Sequence, residues 1–170
     1  MAGPGSNPMM SNPMITPSLG DLLLPAALAP RARWQGKKQV LSELSALMAK
    51  ALELDPRLVH DAVLERERLG STGVGEGVAI PHARIATLSR PVAGFARLLE
   101  PADFEAIDER PADLIFMLLA PTDSGADHLR ALARAARVFR QERIRTALRQ
   151  AQTSEAVLTI LAPDSASDAA

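Results

Sequence analysis

The chain has 170 residues, 47% of them apolar, a formal net charge of −1 and no cysteine. That length suits one domain with a sizeable buried core. The balanced charge removes the electrostatic case for a nucleic-acid binder. The absence of thiols excludes disulfides, thiolate zinc sites and thiol nucleophiles, and fits a reducing compartment.

Residues 1–17 are mainly Pro, Gly, Ser, Asn and Met without charge or periodicity, and read as a disordered arm in which Gly3-Pro4-Gly5-Ser6 fits a tag remnant. The first long apolar run, Leu22 to Ala29, is interrupted by Pro25. It is far shorter than the roughly 20 residues of a membrane span. No cluster of positive charge precedes it, so it does not read as a secretory signal. The expectation is a cytoplasmic protein with no membrane insertion.

Val40, Leu41, Leu44, Leu47, Met48, Ala51 and Leu52 recur at helical spacing and predict a helix from about Gly36 to Leu52. Asp55-Pro56 is an N-cap followed by proline at the first helical position. The helix it opens turns Val59, Ala62 and Val63 inward and stops at Gly70. Four glycines then fall in the eight residues from Gly70 to Gly77, ahead of Val78-Ala79-Ile80-Pro81-His82. This predicts a glycine-rich turn feeding a short strand that proline ends.

Further strands are predicted around Val92–Leu98 and Leu114–Leu119, the second apolar on both faces as a covered central strand should be. A third helix begins near Ser124–Asp127, with Leu129, Leu132, Ala133, Ala136 and Phe139 expected to face the core and Arg130, Arg134 and Arg137 to face water. Two shorter helices follow from Glu142 and from Ser154, and residues 164–170 read as a frayed acidic tail. Helices interleaved with strands predict a single α/β domain over residues 18–163, layered around one sheet.

The glycine-rich loop tests as no nucleotide motif. A P-loop needs Lys and then Ser/Thr where Glu76 and Gly77 stand, and an acid there would repel phosphates. The dinucleotide fingerprint lies between strand and helix, whereas this loop lies between helix and strand, with Val78 in place of the third glycine. Two readings stay open: a structural turn, or a backbone concavity that holds an anion beside His82. The histidines are His60, His82 and His128, without HExxH spacing, so no metal or cofactor is expected.

His82 follows Pro81 at the end of the short strand and is displayed at a sheet edge. A neutral imidazole is a nucleophile near pH 7, and its phosphoramidate is labile enough to pass phosphate onward. His60 has no motif around it and reads as structural.

The contiguous stretch from Leu64-Glu-Arg-Glu-Arg-Leu-Gly-Ser-Thr-Gly through Val-Gly-Glu-Gly-Val-Ala-Ile-Pro-His82 resembles the active-site signature of phosphotransferase-system enzyme IIA domains of the fructose/mannitol type, most closely their nitrogen-regulatory branch. The likeness extends more loosely from about residue 18 to Ala162. It includes Phe104-Glu-Ala-Ile-Asp108, the strand ending Leu119-Ala-Pro121, and the helix entered through His128-Leu129. The resemblance implies a mixed β-sheet flanked by helices, with a phosphohistidine intermediate at His82, on Nε2. It also implies an HPr-like carrier protein as phosphoryl donor and no organic or metal cofactor.

By position in the signature, Arg66 is the guanidinium that grips the phosphoryl oxygens, and His128 is the second active-site histidine, near a helix N-terminus that disfavours its protonation. Ser71, Thr72 and Gly73 are secondary phosphate-binding candidates, the hydroxyls serving either phosphate or the turn itself. Glu65, Glu67 and Glu76 read as solvated charges or partner contacts. Ala83 departs from the glycine that many relatives have there.

The chain shows no fused IIB, IIC or HPr-like domain. That favours a regulatory role in which phosphorylation state alters contacts with proteins such as potassium transporters or sensor kinases. A sugar-transport subunit that donates to a IIB protein and a non-catalytic interaction module are the alternatives.

Overall fold

The alternating faces of one apolar strand organise the structure. In the computed structural model, which describes residues 18–163, β6 (Ala112–Ala120) runs through the middle of a six-stranded mixed sheet. Ile115, Met117 and Leu119 enter one core with α1 (Gly36–Leu52) and α2 (Pro56–Leu69), and Leu114, Phe116 and Leu118 enter the other. That second core is closed by α3 (Gly125–Phe139), α4 (Glu142–Gln150) and α5 (Ser154–Leu161). The two-faced apolar run in the sequence is therefore a strand covered by helices on both sides. The arm and tail read at 1–17 and 164–170 lie outside the described residues.

β5 (Val92–Ala102) pairs antiparallel with β6, and β1 (Leu23–Ala32) adds parallel to β5 as the edge strand. β1 was not expected as a strand. Pro25 and Pro30 break the periodicity, and an edge strand tolerates the lost donors. Its register shifts between Leu23 and Leu28 and again between Ala29 and Ala32. On the far side of β6, β3 (Val78–Ala79) and β4 (His82–Arg84) both pair parallel with it, and β2 (Gly73–Gly75) pairs antiparallel with β3.

Two sequence expectations are corrected. Pro81 interrupts its strand and does not end it: the Pro81 carbonyl accepts from Leu118 N at 2.9 Å, and the chain rejoins β6 with His82 opposite Leu118 and Arg84 opposite Ala120. The missing proline N–H costs one rung of the ladder, and the next residues restore it. The inward stripe of α3 is also rotated. His128, Ala131, Ala135, Val138 and Phe139 are buried, while Ala133 and Leu129 are exposed, Leu129 by 66%. Small alanines let α3 lie close to the sheet, which swings the bulkier leucines outward.

The glycine-rich stretch folds as the β2–β3 hairpin. Gly75, Glu76 and Gly77 occupy its turn with φ of 94°, 59° and 78°, a left-handed run that glycine at two of three positions makes cheap. Asp108 fastens the turn by accepting from Glu76 N at 2.8 Å, and Arg110 pairs with the Glu76 carboxylate at 2.8 Å.

Close packing of α1 on the sheet leaves one position where no side chain fits. A Cβ on Gly94 would lie 2.5 Å from Met48 Sδ and 2.9 Å from the Ala27 carbonyl oxygen. Backbone on one side cannot yield, so Gly94→Ala should lower unfolding free energy by about 1–3 kcal/mol. Urea denaturation should show this as a lower midpoint at unchanged slope. An unaltered midpoint would mean that α1 sits farther from the sheet than described.

Candidate active site

His82 enters β4 directly after Pro81, and its ring is fixed from the chain itself. Nδ1 lies 2.8 Å from the Ile80 carbonyl oxygen. A carbonyl only accepts, so Nδ1 carries the proton and Nε2 carries the lone pair. Nε2 in turn accepts from Arg66 Nε at 3.2 Å. Arg66 stands in the last turn of α2, where its Nη1 also donates to the Gly70 carbonyl at 3.0 Å. The guanidinium is thus anchored at a helix C-terminus while facing the imidazole.

His128 comes from the first turn of α3, its backbone N–H bonded to Ser124 O at 2.9 Å. Its ring meets that of His82 edge-on, with centroids 5.5 Å apart. Nδ1 accepts from Arg84 Nε at 3.4 Å, which leaves the proton on Nε2. That Nε2 is buried and has no partner among the described residues. The two histidines therefore have opposite tautomers. His82 offers a lone pair, and His128 offers an N–H.

Both imidazoles are held below the usual histidine range. For His82, burial is the leading cause; the Ile80 hydrogen bond opposes it, the Arg66 cation adds to it, and the Glu67 carboxylate opposes it. For His128, burial again leads, followed by His82 and the Arg84 cation. A site that keeps two imidazoles neutral beside two guanidinium groups is electropositive and nucleophilic at once.

These four side chains share a cavity of about 540 Å³. Its remaining wall is mostly apolar: Ala62 and Leu69 from α2, Ala83 from β4, and Leu129 and Leu132 from α3. Leu69 and Leu129 are exposed by 80% and 66%, large apolar side chains standing around a polar centre. Such a rim suits a partner surface. Ala83 is buried and sits in the ladder opposite Leu119 with no positive φ, so the position does not require glycine.

Ser71, Thr72 and Gly73 do not line this cavity. The Ser71 hydroxyl donates to the Phe104 carbonyl, and the Thr72 hydroxyl donates to Glu67 Oε1 at 2.6 Å. A Cβ on Gly73 would meet Ala106 at 3.0 Å, so that glycine permits close packing of the hairpin against the β5–β6 loop. Their hydrogen bonds serve the turn. Glu67 is not a solvated charge: it is buried, and Oε2 receives the Lys37 ammonium at 2.9 Å and Thr72 N at 2.9 Å. Buried carboxylates need such partners. His60 lies on α2 outside the cavity lining, its Nε2 buried.

Arg84 was missed from the sequence. It follows the histidine by two residues, which in a strand returns it to the same face, and that periodicity was the available signal.

Comparison with known proteins places the chain. The model of the family described as "Phosphoenolpyruvate-dependent sugar phosphotransferase system, EIIA 2" matches residues 26–163. A Nitrogen regulatory protein of Bradyrhizobium diazoefficiens is 46% identical over 142 residues, covering 84% of this chain and 93% of that protein. A PTS system fructose-specific EIIA component of Haloferax volcanii is 39% identical over 133 residues, covering 78% and 85%. The crystal structure of Nitrogen Regulatory Protein IIA-Ntr from Neisseria meningitidis superposes with a TM-score of 0.79 at 36% identity, covering 84% of this chain and 98% of that one. The chain belongs to the EIIA 2 family of the phosphoenolpyruvate-dependent sugar phosphotransferase system, and a phosphocarrier role comes with that membership.

Proposed function

We propose that the chain accepts a phosphoryl group on His82 Nε2 from an HPr-like carrier protein in the cytoplasm and regulates partner proteins through its phosphorylation state. The observation that supports this best is the His82 ring itself: Nδ1–H bonded to Ile80 O, with Nε2 bare of hydrogen and facing an arginine. In the transfer, the P–N bond of the donor phosphohistidine breaks as the His82 Nε2–P bond forms, and the electron pair returns to the donor ring. Nε2 carries no proton, so no base is needed at this nitrogen. Nδ1–H remains on Ile80 O throughout.

Phosphoryl transfer of this kind asks the protein chiefly for positioning and charge stabilisation. Arg66 moves its N–H groups from the ring nitrogen to the phosphoryl oxygens, and His128 Nε2–H supplies a further donor. Arg84 holds His128 in the tautomer that can give it. The product carries roughly two added negative charges in a pocket that had been electropositive. Reversal of the local field, ringed by Leu69 and Leu129, is what a docked partner would sense. Potassium transporters and sensor kinases are partners of this class. Donation to a IIB protein in sugar uptake is the second reading, favoured by the likeness to a fructose-specific EIIA component.

Incubation with phosphoenolpyruvate, enzyme I and an HPr-like carrier should add one phosphoryl group by intact mass, and His82→Ala should add none. Arg66→Gln should slow acceptance about a hundredfold, with partial recovery in Arg66→Lys. Retention of the added mass in His82→Ala would refute the assignment. Presenting the phosphorylated chain to IIB and to regulated partners separates the two biological readings.

The pH profile follows from the sign of the shift. A folded pKa below the ordinary 6.5 keeps His82 neutral at pH 6.5, so acceptance should persist there and fall only at lower pH, as the ring becomes protonated. Rapid-quench rates across pH 5 to 8 measure this; a rate already halved at pH 7 by His82 protonation contradicts it. Nitrogen-15 NMR should show His82 and His128 in opposite tautomers, and Arg84→Met should mix the tautomers of His128 while leaving those of His82 unchanged.

A further inference from the structure

A second cavity, of about 500 Å³, lies on the other side of α3 from the histidine pair. Its polar lining is Asp21, Arg90, Asp127, Arg130, Arg134 and Arg137, so guanidinium groups exceed carboxylates by two. No residue lines both cavities. The division follows from helical spacing: positions 127, 130, 134 and 137 of α3 face this cleft, while 128, 129 and 132 face the active site.

The carboxylates are already engaged. Asp21 accepts from Arg134 Nη2 at 2.7 Å, and Asp127 pairs with Arg130. Arg90 is turned toward the carbonyls of Asp21 and Pro91. Arg137 has no ion pair or hydrogen bond among the described residues. Arg134 Nε is buried and finds no acceptor among them. An arginine free in water is an ordinary surface group, but a guanidinium N–H shut away from water without an acceptor is not. Leu22 and Ala131 add apolar wall, and the volume falls in the range of small-molecule sites. A nucleic-acid strand would want a continuous basic track, which Asp21 and Asp127 interrupt.

We propose that this cleft binds a small anion carrying two or more carboxylate or phosphate groups, with Arg134 and Arg137 as its principal holders and Arg90 and Arg130 at its edge. Planar guanidinium groups grip both kinds of oxyanion in the same forked manner. The site stands independently of phosphoryl transfer at His82.

The test is NMR titration of the full chain with pyrophosphate and, separately, with succinate, following backbone amides and arginine Nε–Hε resonances against potassium chloride of matched ionic strength. At least one anion should produce saturable shifts at Arg134 Nε–Hε and along residues 127–137, and these should persist in His82→Ala. The anion with the tighter saturation identifies phosphate or carboxylate as the preferred chemistry. Arg134→Gln and Arg137→Gln should each weaken binding about tenfold. Arg137 touches no partner, so Arg137→Gln decides the matter if Arg134→Gln fails to fold. Shifts that never saturate, that chloride reproduces, that vanish in His82→Ala, or that ignore Arg137→Gln would overturn the proposal.

Discussion

The hydrogen bond from His82 Nδ1 to the Ile80 carbonyl, 2.8 Å long and spanning a single proline, is the constraint on which the site depends. It exists because the ladder to β6 breaks at Pro81. Ile80 N is taken by Thr72 O across the β2–β3 hairpin, and the Ile80 carbonyl is left for the side chain two residues on. A continuous strand in place of the break would have paired that carbonyl with its neighbour. The proline thus determines which nitrogen of the histidine is free, and resumption of pairing at His82–Arg84 holds the ring in place. Backbone carbonyls do not titrate, so the tautomer is fixed without a nearby acid that would favour protonation.

The cations around the pair require that neutrality. Arg66 Nε faces His82 Nε2, and Arg84 Nε faces His128 Nδ1. A protonated ring would have no lone pair for either and would place like charges in contact. Burial and the arginines therefore act in the same direction, both disfavouring imidazolium. A guanidinium remains charged throughout the accessible pH range, whereas an imidazole does not, so the arginines set the field and the histidines respond to it. Glu67 lies near enough to oppose this for His82, yet its charge is met by Lys37 and by both donors of Thr72. The hairpin and α1 thus converge on one buried carboxylate beneath the site.

Much of this was legible in the sequence, and the exceptions share a cause. The helix at 36–52, the proline-started helix after Asp55 and the two-faced strand at 114–119 each carry a local periodicity or cap that survives in the structure. The pairing of Arg66, His82 and His128 followed from a contiguous signature. β1 was hidden because Pro25 and Pro30 are permitted only by its edge position, a tertiary fact. Glu67, Ser71 and Thr72 looked available because sequence does not show which polar groups spend their hydrogen bonds on one another. The stripe of α3 was misread because size was taken as a guide to burial. At a close helix–sheet contact the alanines go inside.

That rotation of α3 has a chemical consequence. Had Leu129 and Leu132 turned into the core, His128 would have turned away from His82, since residues one apart on a helix differ by about 100° in direction. Alanines at 131 and 135 bring the helix down onto Phe116 and Leu118, and the same seating delivers His128 to within 5.5 Å, ring centre to ring centre, of its partner. The leucines then have nowhere to go but the rim of the cavity. Core packing, placement of the second histidine and the apolar collar around the site are one choice of helix orientation seen from three sides. Substitutions that enlarge Ala131 or Ala135 would act on all three together, which is why a packing change there cannot be separated from a change at the histidines.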